Sequence, residues 1–241
     1  MTEPVYDQPA LVESEFLQGL PAQDRVAILG VAQRRPVERD HFLLRQGDPA
    51  DRVYLLAQGR LRLSTVTTDG QEVIVRYVAP GEGFGVAAAL KDITYPVSIE
   101  AVENSLVMSW DRATFAQLME RYPRLAMQAM QTLAFRMREM QDRVRELQTE
   151  RVERRIARAL LRLVRQTGRK VDTGVLIDLP LTRQDLAEMT GTTLYTVSRV
   201  LSQWEQAGLV ESGRERVLIR SPHALVSIAE DLPPRSTPAT P

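Results

Sequence analysis

Cysteine is absent from this 241-residue chain, and histidine occurs only as His41 and His223. Without thiols there is no disulfide, no thiolate zinc site, no cysteine-ligated iron–sulfur cluster and no thiol nucleophile. Two imidazoles far apart in the sequence offer neither a converging metal-ligand set nor a triad, so no metal site is expected. No G-x-S-x-G, H-E-x-x-H or G-x-x-x-x-G-K-[ST] motif is present, and no carboxylate pair stands out from solvated charge, so the chain reads as a non-enzyme. No apolar run approaches the roughly 18 to 20 residues that span a bilayer, which excludes a membrane protein. The start, MTEPVYDQPALVESEF, lacks the basic and apolar regions of a secretory signal, and a cytoplasmic location is expected. Lysine is scarce too: Lys91 and Lys170 are the only two among 31 basic residues, the rest being arginine. That bias fits phosphate-contacting chemistry or, more blandly, a GC-rich genome.

What is present is a soluble, two-domain composition with 44% hydrophobic and 26% charged residues and a formal net charge of zero. The charge is unevenly spread. Residues 1–150 carry 17 basic and 21 acidic side chains, whereas residues 151–241 carry 14 and 10. An acidic half beside a basic half suggests a small-ligand domain joined to one that meets a polyanion.

After a helical stretch around Phe16 to Val31, the segment from His41 to Trp110 has strand periodicity. Val53 and Leu55, Leu61 and Leu63, and Val73, Val75 and Tyr77 occupy alternate positions. Gln46-Gly47-Asp48, Gln58-Gly59, Asp69-Gly70 and Pro80-Gly81 punctuate them with turn chemistry. Short strands at this spacing predict a closed or double-sheet β-domain such as a jelly roll. From Arg124 to about Glu150 there is neither glycine nor proline, and two seven-residue series appear: Met130, Met137, Val144 and Leu133, Met140, Leu147. These are the a and d positions of a seam for a partner helix, with packing onto the chain's own β-domain as the alternative. A second helix is expected over Val152 to Arg165, strands at Val175 to Leu179 and Val217 to Ile219, and a disordered, proline-rich tail over 231–241.

Residues 181–210, LTRQDLAEMTGTTLYTVSRVLSQWEQAGLV, carry the strongest signal. Leu186 and Ala187 fall on a first short helix, Gly191 lies where a left-handed turn is needed, and Val197 and Val200 fix a second helix against the first. Thr192 or Thr193 is placed to cap that second helix, which exposes Tyr195, Ser198 and Arg199. An exposed arginine there can bond guanine O6 and N7 together. The segment Glu211 to Arg216, with Arg214 at its tip, reads as a basic wing. An ordinary helical hairpin is the alternative, but the agreement of each position favours a winged helix-turn-helix and double-stranded DNA as the partner.

The order of parts, a β-roll, a long seam helix and a C-terminal winged helix-turn-helix, resembles the cyclic AMP receptor protein and fumarate–nitrate regulator (CRP/FNR) family over about residues 15–225. Gly47, Gly59, Gly70, Pro80-Gly81-Glu82, Phe84-Gly85, Thr196 and Arg199 carry the likeness. The expected class is α+β: an N-terminal double-stranded β-helix (jelly-roll, cyclic-nucleotide-binding-like) effector domain over 1–110, a dimerisation helix over 111–150, and a winged helix-turn-helix over 151–230. The resemblance implies a homodimeric, sequence-specific transcription regulator on a two-fold symmetric operator, with RNA polymerase as a partner. A ligand-binding signalling module with a vestigial DNA-binding domain is the alternative. Arg183, Gln184, Thr193 and Arg214 join Tyr195, Thr196, Ser198 and Arg199 as DNA-binding candidates, Arg183 and Gln184 resembling family phosphate contacts.

The chain departs from the cyclic nucleotide members where they carry a ribose-binding glutamate, an Arg-Ser pair and a Thr-Ser pair. Those places hold Val86, Tyr95-Pro96 and Met140-Gln141. Cyclic AMP is therefore not expected, nor is haem, and an iron–sulfur cluster is excluded with the cysteines. Phe84 to Leu90 looks closest to nitrogen-control regulators that sense 2-oxoglutarate, with Arg136 at the matching helix position. This makes Gly85, Val86, Ala87, Tyr95, Arg136 and Met140 an effector-pocket candidate for a small anion. The rival is a β-roll that binds nothing and a constitutively competent dimer. Many family members also carry a glutamate at the position of Tyr195, so an altered operator is expected.

Overall fold

The computed structural model describes residues 9–12, 14–89, 93–213 and 215–232. The chain divides into two compact units, Met1–Gln141 and Asp142–Pro241, and the boundary falls inside one continuous helix.

In the first unit, short helices α1 (Pro9–Val12) and α2 (Ala22–Gly30), with a 3-10 turn between them at Glu15–Leu17, precede eight strands among the described residues. These are β1 (Gln33–Val37), β2 (Phe42–Leu44), β3 (Arg52–Gln58), β4 (Leu61–Val66), β5 (Glu72–Val78), β6 (Gly83–Phe84), β7 (Ser98–Ala101) and β8 (Ser105–Asp111). They form two four-stranded antiparallel sheets, ordered β1-β8-β3-β6 and β2-β7-β4-β5. This is the double-sheet β-domain expected from the alternation and glycine turns, in the double-stranded β-helix form that the family resemblance implied.

The middle strands β3 and β8 make two cores at once. Val53, Leu55, Ala57, Met108 and Trp110 face a cluster with Phe16, Leu17, Ile28, Phe115 and Leu125. Tyr54, Leu56 and Val107 point the other way, into the space between the sheets, against Leu61, Leu63, Val78, Phe84, Tyr95 and Ile99. Period-two reading identified one buried face of β3; the structure buries both, because helices cover the sheet's outer side. Trp110 satisfies its indole N–H by donating to the Ile28 carbonyl at 2.9 Å. Gly59, at φ +85°, turns β3 into β4 beside the Asn104 carbonyl, where a Cβ would collide with backbone.

Helix α3 (Arg112–Arg121) follows β8, capped by Asp111, whose carboxylate accepts the Thr114 N–H. These bonds hold the Asp111 pKa below the usual carboxylate value. Helix α4 (Pro123–Thr149) is the uninterrupted helix predicted from the glycine-free stretch. In the second unit come α5 (Val152–Thr167), the hairpin β9 (Gly168–Val171) and β10 (Gly174–Ile177), α6 (Arg183–Thr190) and α7 (Leu194–Gln206). The hairpin β11 (Val210–Gly213) and β12 (Arg216–Ile219) and helix α8 (Pro222–Glu230) complete it. Its sheet runs β11-β12-β10-β9. Helix α5 buries the predicted face of Ile156, Ala159, Leu160 and Leu163. The expected disordered tail lies outside the described residues from 233 onward.

Sequence periodicity missed α1, β1, α3, β9 and α8. β1 reads Gln-Arg-Arg-Pro-Val, with only Val37 buried, because it is an edge strand.

Gly83 lies against Phe16 so closely that an added Cβ would overlap the aromatic ring. Gly83→Ala is expected to cost about 1–3 kcal/mol of β-roll stability through overpacking. Urea unfolding followed by tryptophan fluorescence checks this, and an unchanged midpoint would contradict the packing described.

Candidate nucleic-acid interface and effector region

The helix-turn-helix is built from local hydrogen bonds. Thr182 caps α6 by accepting the Asp185 N–H at 3.0 Å, and the Asp185 carboxylate accepts the Thr182 N–H at 2.8 Å. This reciprocal box follows from the Thr-Arg-Gln-Asp spacing, a signal the sequence reading overlooked. Gly191, at φ +60°, ends α6, and its N–H donates to the Ala187 carbonyl. Of the two threonine candidates, Thr193 is the cap: its hydroxyl accepts the Thr196 N–H at 3.2 Å. Opposite the open face, Val197, Val200, Leu201 and Trp204 are buried.

These bonds present Thr193, Tyr195 and Arg199 as exposed side chains, with Thr196 and Ser198 half-buried. Tyr195 is 77% exposed. Among the described residues Arg199 makes no ion pair. At the start of α6, Gln184 is exposed and donates to Glu188 at 3.0 Å, while Arg183 donates to the Ser212 hydroxyl at 3.0 Å and lies 3.8 Å from Glu205. The Glu205 carboxylate also accepts the Ser212 N–H and hydroxyl, so the first helix, the recognition helix and the wing strand share one polar knot. Arg214 lies outside the described residues. Arg216 beside it is exposed, and the base of the wing is tied by Arg220, whose bond to Glu211 holds that carboxyl below its ordinary pKa.

The last turns of α4 belong to this same unit. Arg143 donates to the Met189 carbonyl at 2.6 Å, and Arg155 of α5 donates to the Gly191 carbonyl at 3.3 Å. Both satisfy acceptors that the end of α6 leaves open. Glu146, 6% exposed, accepts two bonds from Arg162 at 2.9 and 2.8 Å, and Glu150 pairs with Arg158 at 3.0 Å.

Of the six heptad positions on α4, five are exposed: Met130 at 56%, Met137 at 63%, Met140 at 69%, Val144 at 49% and Leu147 at 46%. Leu133 differs, being partly buried against the helix-covered β-roll core. An apolar row of this length on a helix is costly to leave in water.

The effector-pocket candidates do not converge on an open site. Val86, 3% exposed, joins the helix-side core, whereas Tyr95, 6% exposed, joins the core between the sheets. The Tyr95 hydroxyl donates to the Arg52 carbonyl at 2.9 Å and accepts the Arg52 N–H at 3.2 Å. Burial, followed by its neighbour Tyr54, raises its pKa above the ordinary phenol value. Gly85, at φ +72°, brings its backbone against the Arg52 carbonyl and the Tyr54 ring, and Ala87 is half-buried in the next turn. Arg136 is engaged: it bonds Glu82 at 2.7 Å and Glu139 at 2.6 Å. Glu82 also takes Arg76 at 2.6 Å, and burial pulls the Arg76 pKa down while Glu82 pushes it back. Met140 lies exposed on the α4 row. His41 is exposed just before β2, and among the described residues no cluster of histidine and carboxylate side chains could hold a metal. No described helix is long and apolar enough to cross a membrane.

A β-roll, a long helix with an apolar row and a winged helix-turn-helix together define a DNA-binding regulator of transcription, and sequence comparison agrees. Residues 34–122 match the cyclic nucleotide-binding domain and residues 154–228 the Crp-like helix-turn-helix domain. The chain belongs to the CRP/FNR family of transcription regulators. It is 32% identical over 216 residues to the cyclic AMP receptor protein of Thermus thermophilus, covering 90% of this chain and 97% of that one. It is 32% identical over 191 residues to the global nitrogen regulator of Synechococcus elongatus, covering 78% and 86%. The structure of FixK2 from Bradyrhizobium japonicum superposes with a TM-score of 0.71 at 25% identity, over 86% of this chain and all of that one. The family contains cyclic-nucleotide and other effector-responsive regulators, and its members bind DNA as dimers.

Proposed function

We propose that this regulator is a homodimer, joined along α4, that reads a two-fold symmetric operator with α7 and recruits or blocks RNA polymerase without cyclic AMP. The observation that carries the DNA-reading part is the outer face of α7, where Tyr195 and Arg199 stand exposed beside Ser198 and Thr196 over a fully packed inner face. Arg199 is the guanine-reading residue, and Arg183, Gln184, Thr193 and the wing residue Arg214 meet phosphates. The dimer reading is supported by the exposed heptad row on α4. Met137→Glu sets two carboxylates against each other in an apolar seam and is expected to yield monomers in sedimentation; a retained dimer would place the interface elsewhere.

Arg199→Ala is expected to remove about 1–3 kcal/mol of discrimination between operator and random DNA. Arg183→Ala should weaken binding to every sequence and lower the salt slope by about one. Gel shifts across a salt series separate the two, and full discrimination by Arg199→Ala would defeat the recognition-helix assignment.

The β-roll serves as a dimer scaffold competent without an added nucleotide. Supporting this, Tyr95 occupies the place of the phosphate-binding arginine with both hydroxyl bonds satisfied, and Arg136 is neutralised by Glu82 and Glu139. A cyclic phosphate would find no free counter-charge and would bury hydroxyls without partners. A small acid such as 2-oxoglutarate would have to displace Glu82 to reach Arg136. Calorimetry at millimolar cyclic AMP is expected to show no binding, and operator affinity should not change when it is added. A micromolar dissociation constant would overturn this reading.

A further inference from the structure

The leading turn of the recognition helix carries an apolar surface that a hydrogen-bonding reader of guanine does not require. Leu194, the first residue of α7, is 47% exposed and Tyr195 is 77% exposed. The Thr193 cap fixes the backbone under both. At positions i, i+1, i+4 and i+5, Leu194, Tyr195, Ser198 and Arg199 share the outer side of the helix. Val197, Val200, Leu201 and Trp204 fill the inner side, Leu194 borders it with 47% of its surface exposed, and Tyr195 stands clear of it. An isobutyl group and an aromatic ring are therefore held out beside an arginine that makes no ion pair among the described residues.

In the major groove, G·C presents mainly hydrogen-bonding groups beside the small cytosine C5–H. The C5-methyl of thymine is the one apolar group that projects from a base edge there. An apolar side chain pressed on guanine O6 or cytosine N4 strips water from a polar group and returns no bond, which is unfavourable. Pressed on a thymine methyl, it removes two apolar surfaces from water together.

We infer that Leu194 and Tyr195 read thymine methyl groups, so that the half-site pairs a guanine under Arg199 with thymines under the first turn of α7. This rests on the DNA-reading function proposed above and adds the base chemistry of its target. The pair sets specificity by a different physical term from Arg199: apolar burial instead of charge-assisted hydrogen bonding. Selectivity at the thymines should therefore persist at salt concentrations that weaken the phosphate contacts.

The test uses the full chain and a random-sequence duplex pool, from which bound sequences are enriched and a half-site is read. Each thymine of that half-site is then replaced singly by deoxyuridine, which removes the methyl and keeps the pairing. Wild-type protein is expected to bind roughly threefold to fivefold more weakly for each methyl lost under the leading turn, the factor for one buried methylene-sized group. The penalty should vanish at one of these thymines in Leu194→Ala, vanish at another in Tyr195→Ala, and persist in Tyr195→Phe. Equal binding of thymine and uracil duplexes, a half-site without thymine, or penalties unchanged in both alanine variants would overturn the inference while leaving operator reading intact. A pool that enriches no sequence would overturn operator reading itself, and this inference with it. The uracil comparison on the wild type needs no variant to fold.

Discussion

The left-handed turn at Gly191 is the constraint on which the DNA-binding unit depends. Three residues separate the end of α6 from the start of α7, and only a residue that accepts φ +60° reverses the chain in that space. A Cβ there would also meet the Leu147 side chain of α4 at 3.1 Å. The glycine thus admits both the turn and the close approach of the last residues of α4. Arg143 and Arg155 then bond the carbonyls of Met189 and Gly191, and Glu146 and Glu150 bind arginines of α5. The final turns of α4, from Asp142 onward, are thus fastened to the motif from two sides within the second unit.

Much of the charge in the DNA-binding unit is matched within the chain. Arg158 and Arg162 on α5 are matched by Glu150 and Glu146, and Arg220 is matched by Glu211. Such pairs add little affinity for a polyanion, because their field is largely cancelled nearby. Arg199 is exposed on α7 and makes no ion pair among the described residues. Composition alone does not separate the paired arginines from the exposed one.

In the β-roll, the turn after β6 is held by aromatic and backbone packing. Phe84 stacks on Tyr54 with ring centroids 5.2 Å apart, Tyr95 tilts against the same ring, and Gly85 lets the chain pass close to β3. These contacts preserve the shape of the turn after β6. The ionic groups nearby are matched within the unit, Glu82 serving Arg76 and Arg136 together.

Much of this was legible from residue order. Alternation with glycine turns marked β3, β4 and β5; the seven-residue series marked α4; and the run from Leu181 to Val210 marked the helix-turn-helix, because each of these signals is a local steric or periodic requirement. The edge strand β1 escaped, since an edge strand buries too little to show alternation, and the capping box at Thr182 and Asp185 was written in the sequence but not read. Other features were decided only by tertiary structure. Which side of the β-roll Val86 and Tyr95 face, that Arg136 is bound to Glu82 fifty-four positions away, and that Leu133 turns inward while Met137 stays exposed all depend on which surfaces packing brings together. Sequence specifies a residue's chemistry and its place in a local period; the partner that satisfies or cancels that chemistry comes from distant chain, and only the folded arrangement selects it.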